Sequence, residues 1–476
     1  MQPAATTLAG DYRNKRLEFL LVTASVGLTL AAFFSPLGLA LLAGATVLFL
    51  AGMRFRPLLL AIVFFIPVNP YLSWDLPIKD LQTLLRFCLF AGALLARQRA
   101  GEPVVRWLFS GRVTRALLAY FAVAVIASTV FNPPTGSVAR ELMRFASYLC
   151  FYYAIVDWVR TDNDTKAILQ ALMLSTIAVA IFGFYQYVVG DYTPVYEALY
   201  PVQDELLKNP PFIGRITSFL SHYNGLAAYL NMVVPFCIGF AVRARDRFSR
   251  VLGSVCFMFA SLALVLTQSR GGLLAYVGIL FLAACMLPQS RAARLRWVAM
   301  MVLFCGSGWL LASMMFQRLS GVDSFTEVTR LAIWAGAGLL FAGNPVLGVG
   351  YGNFKNALAS AIAVPDGLML DAHNLYLELL AETGVTGLAA FAVLVIVCMR
   401  QARRMFRETE EMAKIVGFGV IAAVAGVLVH GMVEYVFHNS PQCAAMFYLL
   451  PALLGAHEFR RAEAAKLLQA VAQGNA

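Results

Sequence analysis

Charge is what this sequence has least of. Only 13% of its residues are Asp, Glu, Lys or Arg, against about 25% in a soluble domain. With 60% hydrophobic residues and a mean hydropathy of +0.72, the chain has too little polar surface for water, and the bilayer is its solvent. Paired cysteines are also missing. The eight cysteines form no CxxC pair and all lie within or beside apolar runs, which argues against a zinc ribbon or dithiol redox motif and for buried membrane thiols. No P-loop, Rossmann glycine pattern or HExxH occurs, so nucleotide and zincin chemistry have no foothold. The first apolar segment lacks a small-residue cleavage site and is expected to be a retained helix. No internal repeat of the secondary-transporter kind is visible.

Apolar runs are what the chain does have. In hydrocarbon, only helices or closed barrels satisfy the backbone. The runs are continuous over roughly 16–22 residues and lack the alternation of barrel strands. They fall near 17–34, 36–52, 57–70, 82–96, 116–131, 143–159, 167–189, 223–242, 251–268, 272–287, 297–315, 383–399, 415–436 and 442–456. The expected fold is an all-α polytopic membrane protein with about 12–14 transmembrane helices and a long helical periplasmic loop.

The net charge of +11 does not point to nucleic acid, because the cations sit in short clusters between apolar runs. Alternate loops hold 27 of the 37 Lys and Arg residues, and the other set holds 10. By the positive-inside rule the rich loops and both termini are cytoplasmic. The expected organisation is N-terminal transmembrane helices over 1–189 and a first long periplasmic loop over 190–222. Central helices over 223–315, a second long periplasmic loop over 316–382 and C-terminal helices with a cytoplasmic tail over 383–476 follow. Loops of that length in a compact membrane protein are usually functional. The second contains a helix-forming stretch around Ser324 to Trp334, with Ser324 or Thr326 as its expected cap.

Three arginines stand out on the cation-poor face: Arg215, Arg270 in Gln268-Ser-Arg-Gly-Gly272, and Arg330. Each can be read as an interfacial arginine snorkelling to water. Each can equally supply a planar guanidinium fork to phosphate oxygens, and the glycines after Arg270 would let a ligand approach the backbone. His373, among polar neighbours at a helix start, has a side chain whose ordinary pKa suits a general base. His222 is a weaker candidate, since Ser221 and Asn224 look like capping residues. His438 faces the same side, and Glu434, inside an apolar stretch, is expected to pair with an arginine. The outer loops carry no DxD pair, and Asp366 and Asp371 are poorly placed as metal ligands. A site without metal or other cofactor is expected, with arginines stabilising phosphate charge. The outer face has no ready supply of ATP or nucleotide sugar, so an activated donor must arrive on a lipid.

In the order and shared face of its motifs, the chain resembles the O-antigen ligase and polymerase superfamily of bacterial inner-membrane glycosyltransferases. The residues concerned are Arg215 to Asn224, Ser269-Arg-Gly-Gly272, Arg330 with Trp334, Pro345 and Gly348-Val-Gly-Tyr-Gly-Asn-Phe354, and His373-Asn-Leu-Tyr-Leu-Glu-Leu379 with Gly384 and Gly387. The resemblance covers about 215–390 and implies a glycosyltransferase that moves a glycan from undecaprenyl diphosphate to an acceptor hydroxyl. In the ligases that acceptor is lipid A–core oligosaccharide, and the product is lipopolysaccharide. It implies His373, Arg215 and Arg270 as catalytic residues. Arg330, Asn374, Asn224, Tyr376, Glu434 and His222 are the implied substrate-binding positions. O-antigen polymerase, protein O-oligosaccharyltransferase and a lipid-glycan flippase remain alternatives. The flippase would need a charged central cavity, and mid-helix charges here are few.

Overall fold

The computed structural model describes residues 56–68, 81–101, 104–130, 136–190, 214–287, 290, 323–361, 371–435, 437 and 440–473. The expected spans at 17–34, 36–52 and 297–315, most of the first long loop, Asp366 and His438 lie outside these residues. Among the described residues every regular element is helical. In chain order these are α1 (Arg56–Phe64), α2 (Leu81–Arg99), α3 (Val104–Leu108), α4 (Arg112–Thr129), α5 (Gly136–Trp158), α6 (Asp162–Val189) and α7 (Tyr223–Arg243). There follow α8 (Arg247–Leu266), α9 (Arg270–Met286), α10 (Asp323–Gly343), α11 (Phe354–Ala361), α12 (Leu375–Phe406), α13 (Glu411–His430) and α14 (Pro441–Ala472). Six of them, α4, α6, α7, α8, α12 and α13, are long and apolar enough to cross a bilayer. The chain is a multi-pass membrane protein.

Helix α7 is the axis of the bundle. It packs on α8 and α13 most extensively and on α9, α14 and α6 as well, and its residues Asn224 to Phe240 are all buried. Lipid gives packed helices no hydrophobic gain, so association rests on close van der Waals fit and small residues at the contacts. The sequence meets that demand. A Cβ on Gly419 would strike the ring of Phe236 in α7, and one on Gly417 would strike the backbone of α12 at Ala402 and Phe406. An aromatic cluster of Tyr120, Phe145, Tyr351, Phe391 and Tyr448 ties α4, α5, α12 and α14 together.

Helix direction sorts the ends. One end gathers the basic loops, stitched by ion pairs: Lys166–Asp246 at 2.6 Å, Arg245–Glu411 at 2.9 Å, Arg460–Asp162 at 2.9 Å, and Arg461 to both Glu408 and Glu410 at 2.6 and 2.9 Å. The other end holds the first residues of α7, α9, α12 and α14, and the candidate residues. Arg86 lies within the expected run at 82–96 and away from both ends. It is buried in α2, donates to Gln82 Oε1 at 2.5 Å, and lies over the rings of Tyr148 and Phe151 at 5.0 and 5.7 Å. Cation–π contact satisfies such a charge without water.

Two of the segment boundaries that differ from the apolar runs bear on the candidate residues. The run at 415–436 ends as a helix at His430, followed by a turn over 431–433. The run at 383–399 begins earlier, at Leu375, and α12 breaks at Gly384, whose φ is +60° and ψ −165°. The glycine-rich stretch after Pro345 closes that break. Val349 N–H donates to Ala381 O at 2.9 Å, Gly350 N–H to Glu382 O at 2.8 Å, and Val385 N–H to Pro345 O at 2.9 Å. Backbone groups freed inside a membrane protein need partners of this kind. The Gly348-to-Phe354 motif is thus a splint for a broken helix.

Candidate functional site

His373 sits where three segments meet. Asn374 caps α12, its Oδ1 accepting from Tyr376 N–H at 3.0 Å and Leu377 N–H at 3.1 Å, and its Nδ2 donates to Met432 O at 3.0 Å. Ala372 N–H donates to the Glu378 carboxylate at 3.0 Å, and Trp334 Nε1 of α10 donates to Ala372 O at 2.7 Å. Pinned on both sides, His373 adopts φ +46°. A left-handed non-glycine residue costs about 1–3 kcal/mol and persists where its surroundings over-determine it.

The turn after α13 delivers Glu434 to the imidazole, with Nδ1 of His373 3.0 Å from Glu434 Oε1. The carboxylate is 6% exposed and the imidazole 21%. Glu434 therefore pairs with a histidine, not with the arginine expected for it. Its other oxygen accepts from Asn224 Nδ2. Asn224 Oδ1 in turn accepts from Ser269 Oγ at 2.7 Å, and Ser269 Oγ caps α9 by accepting from Gly272 N–H at 3.2 Å. A continuous chain of polar groups thus runs from His373 through Glu434, Asn224 and Ser269 to the helix that begins with Arg270. Asn224 is a link in this chain and not the helix cap it resembles.

The cap of α7 is His222, whose Nδ1 accepts from Asn224 N–H at 3.1 Å. Burial lowers the His222 pKa to about 4, outweighing the charge of Glu434, which raises it. His222 is a neutral structural residue at ordinary pH. For His373, burial also works against the charged form. The hydrogen bond and charge of Glu434 outweigh it, so the pKa of His373 stands above its ordinary value. Burial raises the pKa of Glu434, but the hydrogen bond from His373 and the charges of the surrounding histidines lower it to about 2. The carboxylate stays ionised, and it holds the Nδ1 proton. Nε2 is then the nitrogen available to take a proton.

The arginines surround this unit. Gln268 Nε2 donates to Gly214 O at 2.9 Å and Ile216 N–H to Leu266 O at 3.3 Å, which lays the Arg215 segment beside the turn that precedes Arg270. Gln186 of α6 braces the same segment, accepting from Ser218 N–H at 2.7 Å. The Arg215 guanidinium lies 4.6 Å over the Tyr223 ring. Arg270 is exposed at the first position of α9. Arg330 is close enough for its charge to act on both His373 and His222. The structure thus brings His373, Glu434, Asn224, His222, Arg215, Arg270 and Arg330 to one end of the bundle. Tyr376 is engaged with the neighbouring helix, its hydroxyl donating to Leu428 O at 2.8 Å.

The glycines after Arg270 serve helix packing and not ligand approach. A Cβ on Gly271 would strike Val433, and one on Gly272 would strike Ala227. Asp371 is not isolated, since Lys355 Nζ lies 3.0 Å from its Oδ1. Among the described residues, the group with metal-like spacing is Glu408, Glu410 and His457 at the basic end, where Arg461 already bridges both glutamates.

Residues 255–392 match the O-antigen ligase family. The match covers less than a third of the chain; it supports the resemblance to the O-antigen ligase and polymerase superfamily and suggests a glycosyltransferase-like enzyme. No curated protein matches the chain. The matched region contains Ser269, Arg270, Arg330, Trp334 and His373, whereas Arg215, Asn224 and Glu434 lie outside it. The polar chain at His373 therefore extends beyond the matched region: α7 supplies Asn224 and the turn after α13 supplies Glu434. Sequence reading gave Ser269, Trp334 and Gln186 no role. Their signal was polarity at the ends of apolar runs.

Proposed function

We propose that the chain is an O-antigen ligase, which transfers a glycan from undecaprenyl diphosphate to a hydroxyl of lipid A–core oligosaccharide. The observation that carries this reading is the His373–Glu434 pair, linked through Asn224 and Ser269 to the arginine-bearing end of α9. In the proposed step, His373 Nε2 accepts the proton of the acceptor hydroxyl as its oxygen bonds to the anomeric carbon. The bond from that carbon to the diphosphate oxygen breaks, and the configuration inverts. Arg215 and Arg270 neutralise the departing lipid diphosphate, and Arg330 orients phosphate oxygens on a substrate. Guanidinium forks fixed before reaction act on charge as it develops, which supports a transfer that needs no metal or other cofactor. Asn374, Asn224, His222 and Tyr376 position the reacting groups through the bonds described above.

In this reading the basic end faces the cytoplasm of a bacterial inner membrane, with both termini on that side and the site at the periplasmic face. The 27 to 10 division of Lys and Arg supports that orientation. The family match covers ligases and polymerases alike, so the acceptor is decided by reconstitution. Purified protein is supplied with undecaprenyl-diphosphate glycan and lipid A–core in the presence of EDTA. Glycosylated lipid A–core is the expected product. Longer lipid-linked glycans in its place would assign a polymerase, and donor movement across the bilayer without a covalent product would assign a flippase.

A further inference from the structure

A second feature lies at the basic end, far from His373. A cavity of about 510 Å³ opens between α9, α12 and α13, lined by Met286, Met399, Arg400, Arg403, Phe406, Arg407 and Ile421. Its floor is apolar. Arg400, Arg403 and Arg407 are spaced to share one face of α12, and all three are exposed. Cations at a helix C-terminus complement the dipole, which accounts for their sign but not for the cavity beneath them.

Charge balance at this end is uneven. Glu408 and Glu410 are held by Arg461, with His457 3.1 Å from Glu408, and Glu411 is held by Arg245. Among the described residues Arg400, Arg403 and Arg407 make no ion pair and no acid lines the cavity. Arg243 adds a further cation at its edge, its guanidinium 5.9 Å from the Phe406 ring. Residues 290–296, which follow α9 in sequence, carry three arginines and no acid.

We propose that this cavity binds an anionic glycerophospholipid, its phosphate held by Arg400, Arg403 and Arg407 and its acyl chains lying on Met286, Met399, Phe406 and Ile421. Charge decides the occupant: an apolar floor alone would take any lipid, whereas an unbalanced arginine wall selects an anionic headgroup. Basic pockets between helices on this side of a membrane suit such headgroups.

The test uses full-length protein in nanodiscs of phosphatidylcholine doped with phosphatidylglycerol or cardiolipin, with retained lipid read by native mass spectrometry. The wild type should keep the anionic lipid. A variant combining Arg400→Gln, Arg403→Gln and Arg407→Gln should lose retention by tenfold or more, since each surface arginine contributes about fivefold to anionic-lipid binding. A control combining Arg247→Gln and Arg250→Gln, at the same end but away from the cavity, should bind as the wild type does. Met399→Trp, which fills the floor and keeps the arginines, should also lose retention. Equal retention by the triple variant and the wild type would overturn the proposal. So would full retention in Met399→Trp, or retention of phosphatidylcholine as strong as that of the anionic lipids. Displacement by inorganic phosphate at equal potency would overturn it in favour of a free-anion site.

Discussion

Nδ1 of His373 lies 3.0 Å from Oε1 of Glu434, although 61 residues of chain separate them. That contact sets the protonation chemistry of the site. Glu434 holds the pKa of His373 above its ordinary value of 6.5, against burial, which lowers it. In the proposed transfer His373 acts as a neutral base, so the rate should rise with pH through that raised value and level off above it. In Glu434→Gln the two largest raising influences disappear, leaving only the smaller one of Asp371 against burial and Arg330, so the midpoint should move to lower pH. The plateau should fall as well, because the base is weaker. A pH–rate profile that kept its midpoint in Glu434→Gln would sink the assignment. His373→Ala should lose about 10²–10⁴-fold in rate, the usual share of a general base.

The same pair bears on stability with the opposite sense. A group whose folded pKa is raised adds stability that is complete below its unfolded pKa and lost as pH rises through the folded one. Glu434 has the reverse linkage, its contribution being complete above 4.5 and lost as pH falls towards about 2. The melting-temperature gap between the wild type and Glu434→Gln should therefore be widest between pH 4.5 and 6.5, the two unperturbed values, and narrow as pH rises above that window. Scanning fluorimetry across pH reads this directly, and a gap that widened with pH above that window would contradict it.

Asn224 touches both Glu434 and Ser269. Asn224→Ala leaves a buried carboxylate oxygen without its amide donor, at a cost of about 1–3 kcal/mol. Turnover should fall while donor KM changes little, because the effect passes through the orientation of His373. Should donor KM rise with kcat unchanged, Asn224 would be a substrate ligand and not a positioning residue.

Arg215→Lys and Arg270→Lys preserve charge but remove the planar fork. Each should reduce kcat/KM by about tenfold, roughly the worth of one charge-assisted hydrogen bond of 1.5–3 kcal/mol. Full activity in both variants would remove the arginines from diphosphate recognition.

Gly384 holds a backbone conformation that only glycine adopts easily, and a Cβ there would run into the Val346 backbone. Gly384→Ala should cost at least about 1–3 kcal/mol and should depress transfer by shifting the short helix that follows His373. Unchanged thermal unfolding would show that the break in α12 is not required.

Much of the fold was legible because bilayer physics leaves few solutions. The run at 223–242 became α7 within one residue of its expected end, and the alternation of basic loops matches the observed helix directions. The failures have a common cause. Hydropathy counts side chains and cannot count bonds. It carried the crossing at 415–436 through Glu434, because Val433 and Val436 flank the acid, whereas the chain turns after His430 to bring that acid to His373. It started the preceding crossing at 383 because Glu378 and Glu382 lower the average, whereas Asn374 caps a helix nine residues earlier. At the site, the arginines and His373 were visible as polar residues at costly positions. The roles of Glu434 and Asn224 were not, since each is set by a partner more than fifty residues away.

The bond between His373 and Glu434 also fixes when the site can exist. During synthesis the segment bearing Arg215 leaves the ribosome first, then that bearing Arg270, then His373, and Glu434 follows only after α13. Until that late segment is placed, the imidazole lacks the carboxylate that orients it and raises its basicity. A chain truncated before residue 434 would carry every arginine of the site, yet lack the carboxylate on which the proposed base depends. The pairing of His373 is therefore ordered in time: the imidazole is made first, and its partner arrives only once the turn after α13 has been laid down.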